Sequence, residues 1–267
     1  MRRWLKALPL TLALAALIVF ATFAASCGSN NSQARFVNAI SDNTTTLDIY
    51  FNGTKAFGLT NTFPTDSGST YVSIPTGSDK IQGFSSGTNT NPVFTVPNSP
   101  ISFKSGSQYT VVAMGRLAST VTVVAPVESS TAPANGSVNF NVIDASPAYT
   151  QAVDVYILQD QTSTPGSTCF GNAGCTPTIS ALASPASSIT PYTTTPATVP
   201  YNSLGFGYTL YVAEAGSSPP TPLPGWTGYP FSVGSVTVGS IRTIVLVDNP
   251  GGSNGMSAVP IILSDLN

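Results

Sequence analysis

Few side chains in this sequence could do chemistry, and their spacing narrows what that chemistry would be. Cys169 and Cys175 bracket Phe170-Gly171-Asn172-Ala173-Gly174, a short span with two glycines. In an exported chain this spacing reads as a small-loop disulfide. A metal site would need more ligands of the right kind, and the sequence has no histidine to supply them. Asp48 and Asp154 recur in matching contexts and raise the carboxylate-pair chemistry of glycoside hydrolysis. Each also reads as the solvent-face residue of an alternating strand, which weighs against a carboxylate-pair enzyme. Without histidine a Ser-His-Asp arrangement is unavailable. No catalytic residue and no cofactor is expected.

Two further groups could bind rather than react. Aromatic residues gather late in the chain, and Trp226 and Tyr229 lie in the loop-like run Pro224-Gly225-Trp226-Thr227-Gly228-Tyr229-Pro230. Exposed, Trp226 would stack on a sugar ring or anchor a partner protein; buried, it would plug a core between sheets. These two are the candidate ligand-binding residues. Asp42-Asn43-Thr44 and Asp144 are oxygen donors at strand ends, where calcium is sometimes held. Their spacing matches no calcium loop, so Asx-turns are the expected reading and no metal site is expected.

The N-terminus is an address. Arg2, Arg3 and Lys6 precede an uncharged run from Leu8 to Ala25, and Ala24-Ala25-Ser26-Cys27 closes it. A cysteine directly after small residues resembles the bacterial lipobox, which implies lipidation of Cys27 and cleavage before it. The Leu usual three residues before the cysteine is Ala24 here, and an ordinary cleaved signal or an uncleaved anchor helix are the other readings. Without the signal, six basic side chains remain against eleven acidic ones, which leaves no basic excess for nucleic acid. Two or three acyl chains would anchor the chain stably, where one would be marginal.

Beyond the tether the dominant pattern is short runs of period-2 alternation rich in β-branched and aromatic residues. Phe36–Ile40, Leu47–Phe51, Tyr71–Ile74, Tyr109–Met114 and Val121–Val124 read as strands. Asn52-Gly53, Pro75-Thr76-Gly77 and Ser105-Gly106 supply turns between them. The pattern then repeats. Val37-Asn38-Ala39 and Leu47-Asp48-Ile49-Tyr50 correspond to Ile143-Asp144-Ala145 and Val153-Asp154-Val155-Tyr156 at an offset of 106. Gly106 to Val112 correspond to Gly239 to Val245 at an offset of 133, so the second copy carries a net insertion of 27 residues.

The runs Ile143-Asp144-Ala145-Ser146-Pro147 and Ala152-Val153-Asp154-Val155-Tyr156, with the Gly-x-x-Tyr-Thr-Val-Val-Ala strand at Gly106 to Ala113, resemble the bacterial domain of unknown function 4397. The resemblance implies secreted or cell-surface residence, frequent tandem copies and no established activity. The position often held by His in relatives is Asn38 and Asp144, so no role of that His carries over.

These observations predict an all-β chain of two tandem antiparallel β-sandwich domains of immunoglobulin-like type, with a barrel as the alternative. The expected organisation is a lipoprotein-type signal over 1–26, a polar tether over 27–33 and a first sandwich over 34–127. A linker over 128–137 and a second sandwich over 138–267 follow, with a Ser/Thr/Pro-rich insertion of little periodicity around 160–199. In both repeats, residues 47, 49 and 51, or 153, 155 and 157, should face the core, with Asp48 and Asp154 turned to solvent. The long insertion is either a binding loop or a decorative one.

The expected role is non-enzymatic, at the cell envelope: a lipid-anchored structural or binding protein of the outer membrane or cell surface, or else a secreted or periplasmic one. Its partners would be the membrane, through the lipid, and an envelope polysaccharide or surface protein. A carbohydrate-binding module using the late aromatics is the alternative. Only 7% of residues are charged while Ser and Thr fill roughly a quarter. Strand edges therefore lack their usual lysine protection, and self-association of the unanchored chain is expected.

Overall fold

The computed structural model describes residues 31–266 apart from 61, 69, 79, 97–100, 148–151, 160–185, 190–193, 202–206, 217–230 and 249–257. Among the described residues every regular element is a strand. The first half builds β1 (Ser32–Ile40), β2 (Leu47–Phe51), β3 (Thr54–Gly58), β4 (Thr65–Asp66), β5 (Val72–Ile74), β6 (Gly77–Ser78), β7 (Ile81–Ser85), β8 (Pro92–Val96), β9 (Ser102–Phe103), β10 (Gln108–Gly115) and β11 (Val121–Val124). The second builds β12 (Ser137–Asp144), β13 (Val153–Gln159), β14 (Ala186–Ile189), β15 (Thr194–Pro200), β16 (Tyr208–Glu214), β17 (Phe231–Gly234), β18 (Ile241–Asp248) and β19 (Ala258–Leu266).

Four larger sheets result. Sheet 1 runs β11-β10-β1-β4 with β5 also on β1, and sheet 2 runs β3-β2-β7-β8. Sheet 3 runs β15-β12-β18-β19 and sheet 4 runs β14-β13-β16-β17, so each later sheet repeats the strand order of an earlier one. The sheets are mixed: β1 pairs β10 in parallel from Gln33↔Gln108 to Ile40↔Gly115, and β12 pairs β18 in parallel likewise. The reason is topological. After β1 the chain builds the opposite sheet and returns to the same end, and a parallel partner needs such a long crossover. The insertion expected to lack periodicity contributes two strands, and β15 pairs β12 antiparallel over seven residues, from Ser137↔Pro200 to Ile143↔Thr194. Its threonines and Val199 suit a strand, and the prolines Pro196 and Pro200 are tolerable because β15 lies at a sheet edge.

Side-chain alternation sends each central strand into two cores. Ala34, Phe36 and Ile40 of β1 and Tyr109, Val111 and Ala113 of β10 pack with Leu47, Ile49 and Phe51 between sheets 1 and 2. Val138, Phe140 and Val142 of β12 and Ile244 and Leu246 of β18 pack with Val153, Val155 and Ile157 between sheets 3 and 4. The assigned core faces of β2 and β13 are therefore as expected. The opposite faces are buried too. Val37, Ala39, Val112 and Met114 of sheet 1 join Ile143, Ala145, Val245 and Val247 of sheet 3 in a third apolar cluster. This accounts for the near-continuous apolar runs of β1 and β10, which strands buried on both faces require. The seam also joins equivalent positions of the repeat, 37 with 143, 39 with 145, 112 with 245 and 114 with 247. Such use of one patch from each side is the pattern of an isologous contact.

Candidate functional site

The carboxylates that could have formed a reactive pair are structural caps. Asp48 is 4% exposed and Asp154 8%, so neither faces open solvent as their strand positions suggested. Asp48 accepts the Gly87 N–H at 3.1 Å and the Ser86 hydroxyl at 3.2 Å, and Lys55 Nζ lies 2.8 Å away. Asp154 accepts the Gly216 N–H at 2.8 Å. Both glycines have positive φ, 82° and 73°. The repeated Asp thus holds the equivalent turn in each half, which folds back over it and shields it. Burial raises the Asp48 pKa, but the Lys55 and Gly87 hydrogen bonds, the Lys55 charge and Ser86 outweigh it and hold the carboxyl below its ordinary value. The spelling Gly-x-Ser-x-Gly does occur here, at Gly83-Phe84-Ser85-Ser86-Gly87. It falls on β7 and its turn rather than on a strand-to-helix elbow, and its central Ser85 is the last residue of β7.

Asn43 makes the local Asx-turn, whereas Asp42 caps a turn from a distant part of the chain. Asp42 accepts the N–H groups of Leu117 and Ala118 at 2.6 and 3.0 Å, and Asn43 Oδ1 accepts the Thr45 N–H at 3.3 Å. Burial opposes ionisation of Asp42, yet the Leu117, Ala118 and Asp42 N–H groups and Arg116 prevail, and its pKa is lowered.

The densest polar cluster was not foreseen, and it lies beside the seam between sheets 1 and 3. Arg35 is 1% exposed. Its Nε donates to Thr110 Oγ1 at 2.8 Å and lies 3.2 Å from Glu128 Oε1; its Nη1 donates to the Ser264 carbonyl at 2.8 Å and its Nη2 to Asp265. Tyr71 adds its ring 5.4 Å from the guanidinium and donates its hydroxyl to Glu128. Glu128 belongs to no solvated linker: its side chain is 4% exposed and its N–H bonds the Gln108 carbonyl at 2.9 Å. Burial raises the Glu128 pKa against the Thr110 and Tyr71 hydrogen bonds and the Arg35 charge. Thr110 donates to Glu128 as Thr243, its repeat equivalent, donates to Asp265 at 2.7 Å. Each half therefore presents one Thr-held carboxylate, and Arg35 of the first half binds both. A lone Arg among strand residues was the one available signal, and nothing in the sequence indicated its partner 230 residues away.

A second unforeseen cluster closes one end of the core between sheets 3 and 4. Asp144 is 0% exposed; its Oδ1 accepts the Ser146 N–H at 3.1 Å, while its Oδ2 is buried without a hydrogen-bond partner. Ser146, also fully buried, donates its hydroxyl to Asp248. Burial first, then the Asp248 charge, push the Asp144 pKa up to about 7 against the Ser146 hydrogen bond. Asn38, at the equivalent place in the first half, repeats the local turn by accepting the Ile40 N–H at 3.3 Å, and its Nδ2 is likewise buried without a partner.

A groove of about 290 Å³ on the outer face of sheet 2 is lined by Tyr50, Gln82, Phe84, Asn89, Thr90 and Pro92 among others. Tyr50 meets Phe84 edge-on at 4.8 Å between ring centroids. No group of three or more His, Cys, Asp or Glu suited to a metal occurs among the described residues. Cys27, Cys169, Cys175, Trp226 and Tyr229 all lie outside the described residues, and no described helix is long and apolar enough to cross a membrane.

No curated protein matches the chain. Among solved structures, the Bacillus anthracis TIE protein is similar at 10% identity and a TM-score of 0.25, over 88% of this chain and 44% of that one. The chain thus spans less than half of that protein, and a likeness of this size carries no argument. Residues 32–156, which take in β1–β11 and run through β12 into β13, match the family model Domain of unknown function (DUF4397).

Proposed function

We propose that this is a non-catalytic envelope protein, anchored by lipid on Cys27 and built of two tandem copies of the family domain, with a structural or binding role at the outer membrane or cell surface. The observation that carries the reading is how the described charged side chains are used. Arg35, Glu128 and Asp265 tie sheet 1 to sheet 3, while Asp42, Asp48 and Asp154 cap turns. Side chains held in this way serve rigidity, and a rigid double sandwich suits a scaffold that presents loops. The repeated sheet order and the repeated Asp caps support the tandem reading. A Cys169–Cys175 disulfide would close the insertion loop in the same oxidising compartment. Metabolic labelling with a lipid probe tests the anchor: label should enter the wild type and be lost from Cys27→Ala, together with membrane retention. Unchanged labelling or retention in the variant removes the proposal.

A second reading is a carbohydrate-binding module using Trp226 and Tyr229. One described feature favours it: the groove beside Tyr50 is lined by an aromatic pair and by amide and hydroxyl side chains with no charge, a lining suited to a neutral polyol. Glycan-array binding by the wild type, weakened in Trp226→Ala or Tyr50→Ala, supports it. A wild type that binds no envelope or plant polysaccharide ends it.

A further inference from the structure

The two ends of the first sandwich are not equivalent. The Gly106 N–H donates to the Asn31 carbonyl at 3.1 Å and the Ser32 hydroxyl to the Lys104 carbonyl at 2.8 Å, so the chain enters β1 beside the β9–β10 turn. At the same end β6 pairs β9, Gly77 with Phe103, and the Asn52 N–H in the β2–β3 turn donates to the Lys80 carbonyl at 2.9 Å. Cys27 precedes Asn31 by four residues, at most about 14 Å of chain. The opposite end lies the length of β1 away, nine residues or roughly 30 Å.

The near end carries a distinctive set of side chains. Lys80 and Lys104 are exposed there, two of the three lysines that follow Lys6. Among the described residues no exposed carboxylate accompanies them. Asp42 and Glu214 lie at the far ends of the two halves, and Asp66 sits midway along β1 opposite Val37. Asp79, next to Lys80 in sequence, lies outside the described residues. The two exposed large hydrophobic side chains among the described residues, Val127 at 56% and Val238 at 54%, share this end. Val127 pairs Tyr109, the second residue of β10. Val238 belongs to the turn before β18, where the Gly239 N–H donates to the Ser137 carbonyl at 2.9 Å. That turn is on the same side, since Arg35, early in β1, reaches Ser264 and Asp265 opposite the start of β18. Singly exposed valines are ordinary. Their coincidence with lysines and with the entry of the chain is the pattern of an interfacial surface, where cations meet headgroups and aliphatic groups meet the acyl boundary.

We propose that this end is a docking surface for an anionic bilayer, with Lys80 and Lys104 on the headgroups and Val127 and Val238 against the acyl boundary. Docking of this kind rests on lipidation of Cys27, which would hold the end within about 14 Å of the membrane, close to the roughly 10 Å reach of charge at 0.1 M salt. The turns at 41–46, 86–91 and 116–120 then point away from the bilayer.

The test uses the lipidated protein on vesicles of phosphatidylethanolamine and phosphatidylglycerol, as a Ser119→Lys variant whose added amine marks the exposed β10–β11 turn at the far end. Flotation shows whether the chain is vesicle-bound. A water-soluble amine-acylating reagent then reads each lysine by mass spectrometry, against the same protein in detergent. Lys80 and Lys104 should react about 3-fold or more slowly on the vesicles while position 119 keeps its rate. The protection should weaken in high salt and on phosphatidylcholine vesicles. Equal slowing at all three positions, or more at 119, overturns the docking surface and leaves the lipid anchor standing. Equal protection on phosphatidylglycerol and phosphatidylcholine overturns the recognition of anionic lipid. A chain that does not float overturns the anchor and the docking surface together.

Discussion

Arg35→Met tests whether the buried guanidinium joins the two halves. Methionine keeps much of the aliphatic stem and removes the charge. Glu128, at 4% side-chain exposure, would then lose its cation, and Asp265, at 0%, would keep only the nearby charge of Arg242. Breaking a buried ion pair by deleting one partner costs about 3–5 kcal/mol, because the survivor stays buried and uncompensated. Here Glu128 is the uncompensated survivor while Asp265 keeps Arg242, so a loss within that range is expected. For a chain of this size each kcal/mol lowers the melting midpoint by about 2–4 °C, which places the variant about 10 °C or more below the wild type. Urea unfolding followed by circular dichroism gives the free energy, and calorimetry the midpoint. The triple change Arg35→Met, Glu128→Leu, Asp265→Leu should recover more than half the loss, since a packed apolar replacement of a buried ion cluster is often neutral. A single-variant loss below about 1 kcal/mol, the size of an exposed pair, would refute the reasoning.

Three more outcomes follow from the same contacts. Met114→Ala, in the apolar seam between sheets 1 and 3, should cost about 2–5 kcal/mol; calorimetry should still show one cooperative transition, and two well-separated ones in the wild type would mean the seam does not couple the halves. Asp48→Asn should destabilise by about 1 kcal/mol at neutral pH through loss of a charge-assisted turn cap. Because the folded-state pKa of Asp48 is lowered, its contribution is complete above the unfolded value near 3.9 and fades as pH falls through the folded value; the gap between wild type and variant should therefore shrink on acidification, and a gap that widens would contradict it. Gly115→Ala should cost more than about 2 kcal/mol, because φ there is +105° and a Cβ would sit 2.3 Å from the Thr120 carbonyl oxygen; denaturant titration within 0.5 kcal/mol of wild type would count against the backbone as described.

How much could be read locally depended on whether a residue's role is set by its neighbours in sequence. Leu47-Asp48-Ile49-Tyr50-Phe51 announces a strand and its core face, because alternation is a property of five consecutive residues. Asp48 is covered rather than solvent-facing. Alternation tells only that it points away from Leu47 and Ile49, and the turn at Ser86-Gly87 that covers it comes from another hairpin. Thr194–Pro200 escaped notice as a strand because its polar composition carries no alternating signal; its pairing partner β12 makes it one.

The sequence by itself determined the class: β-branched alternation and turn residues are local facts that strands satisfy. Tertiary structure alone decided what the scarce charges do. Arg35 meets Glu128 and Asp265, 93 and 230 residues on, because sheets 1 and 3 press the same face together. Asp144 and Asp248 meet because β12 and β18 run parallel and end at the same edge of one core. Burial and counter-charge are relations between distant segments, so no window of sequence contains them.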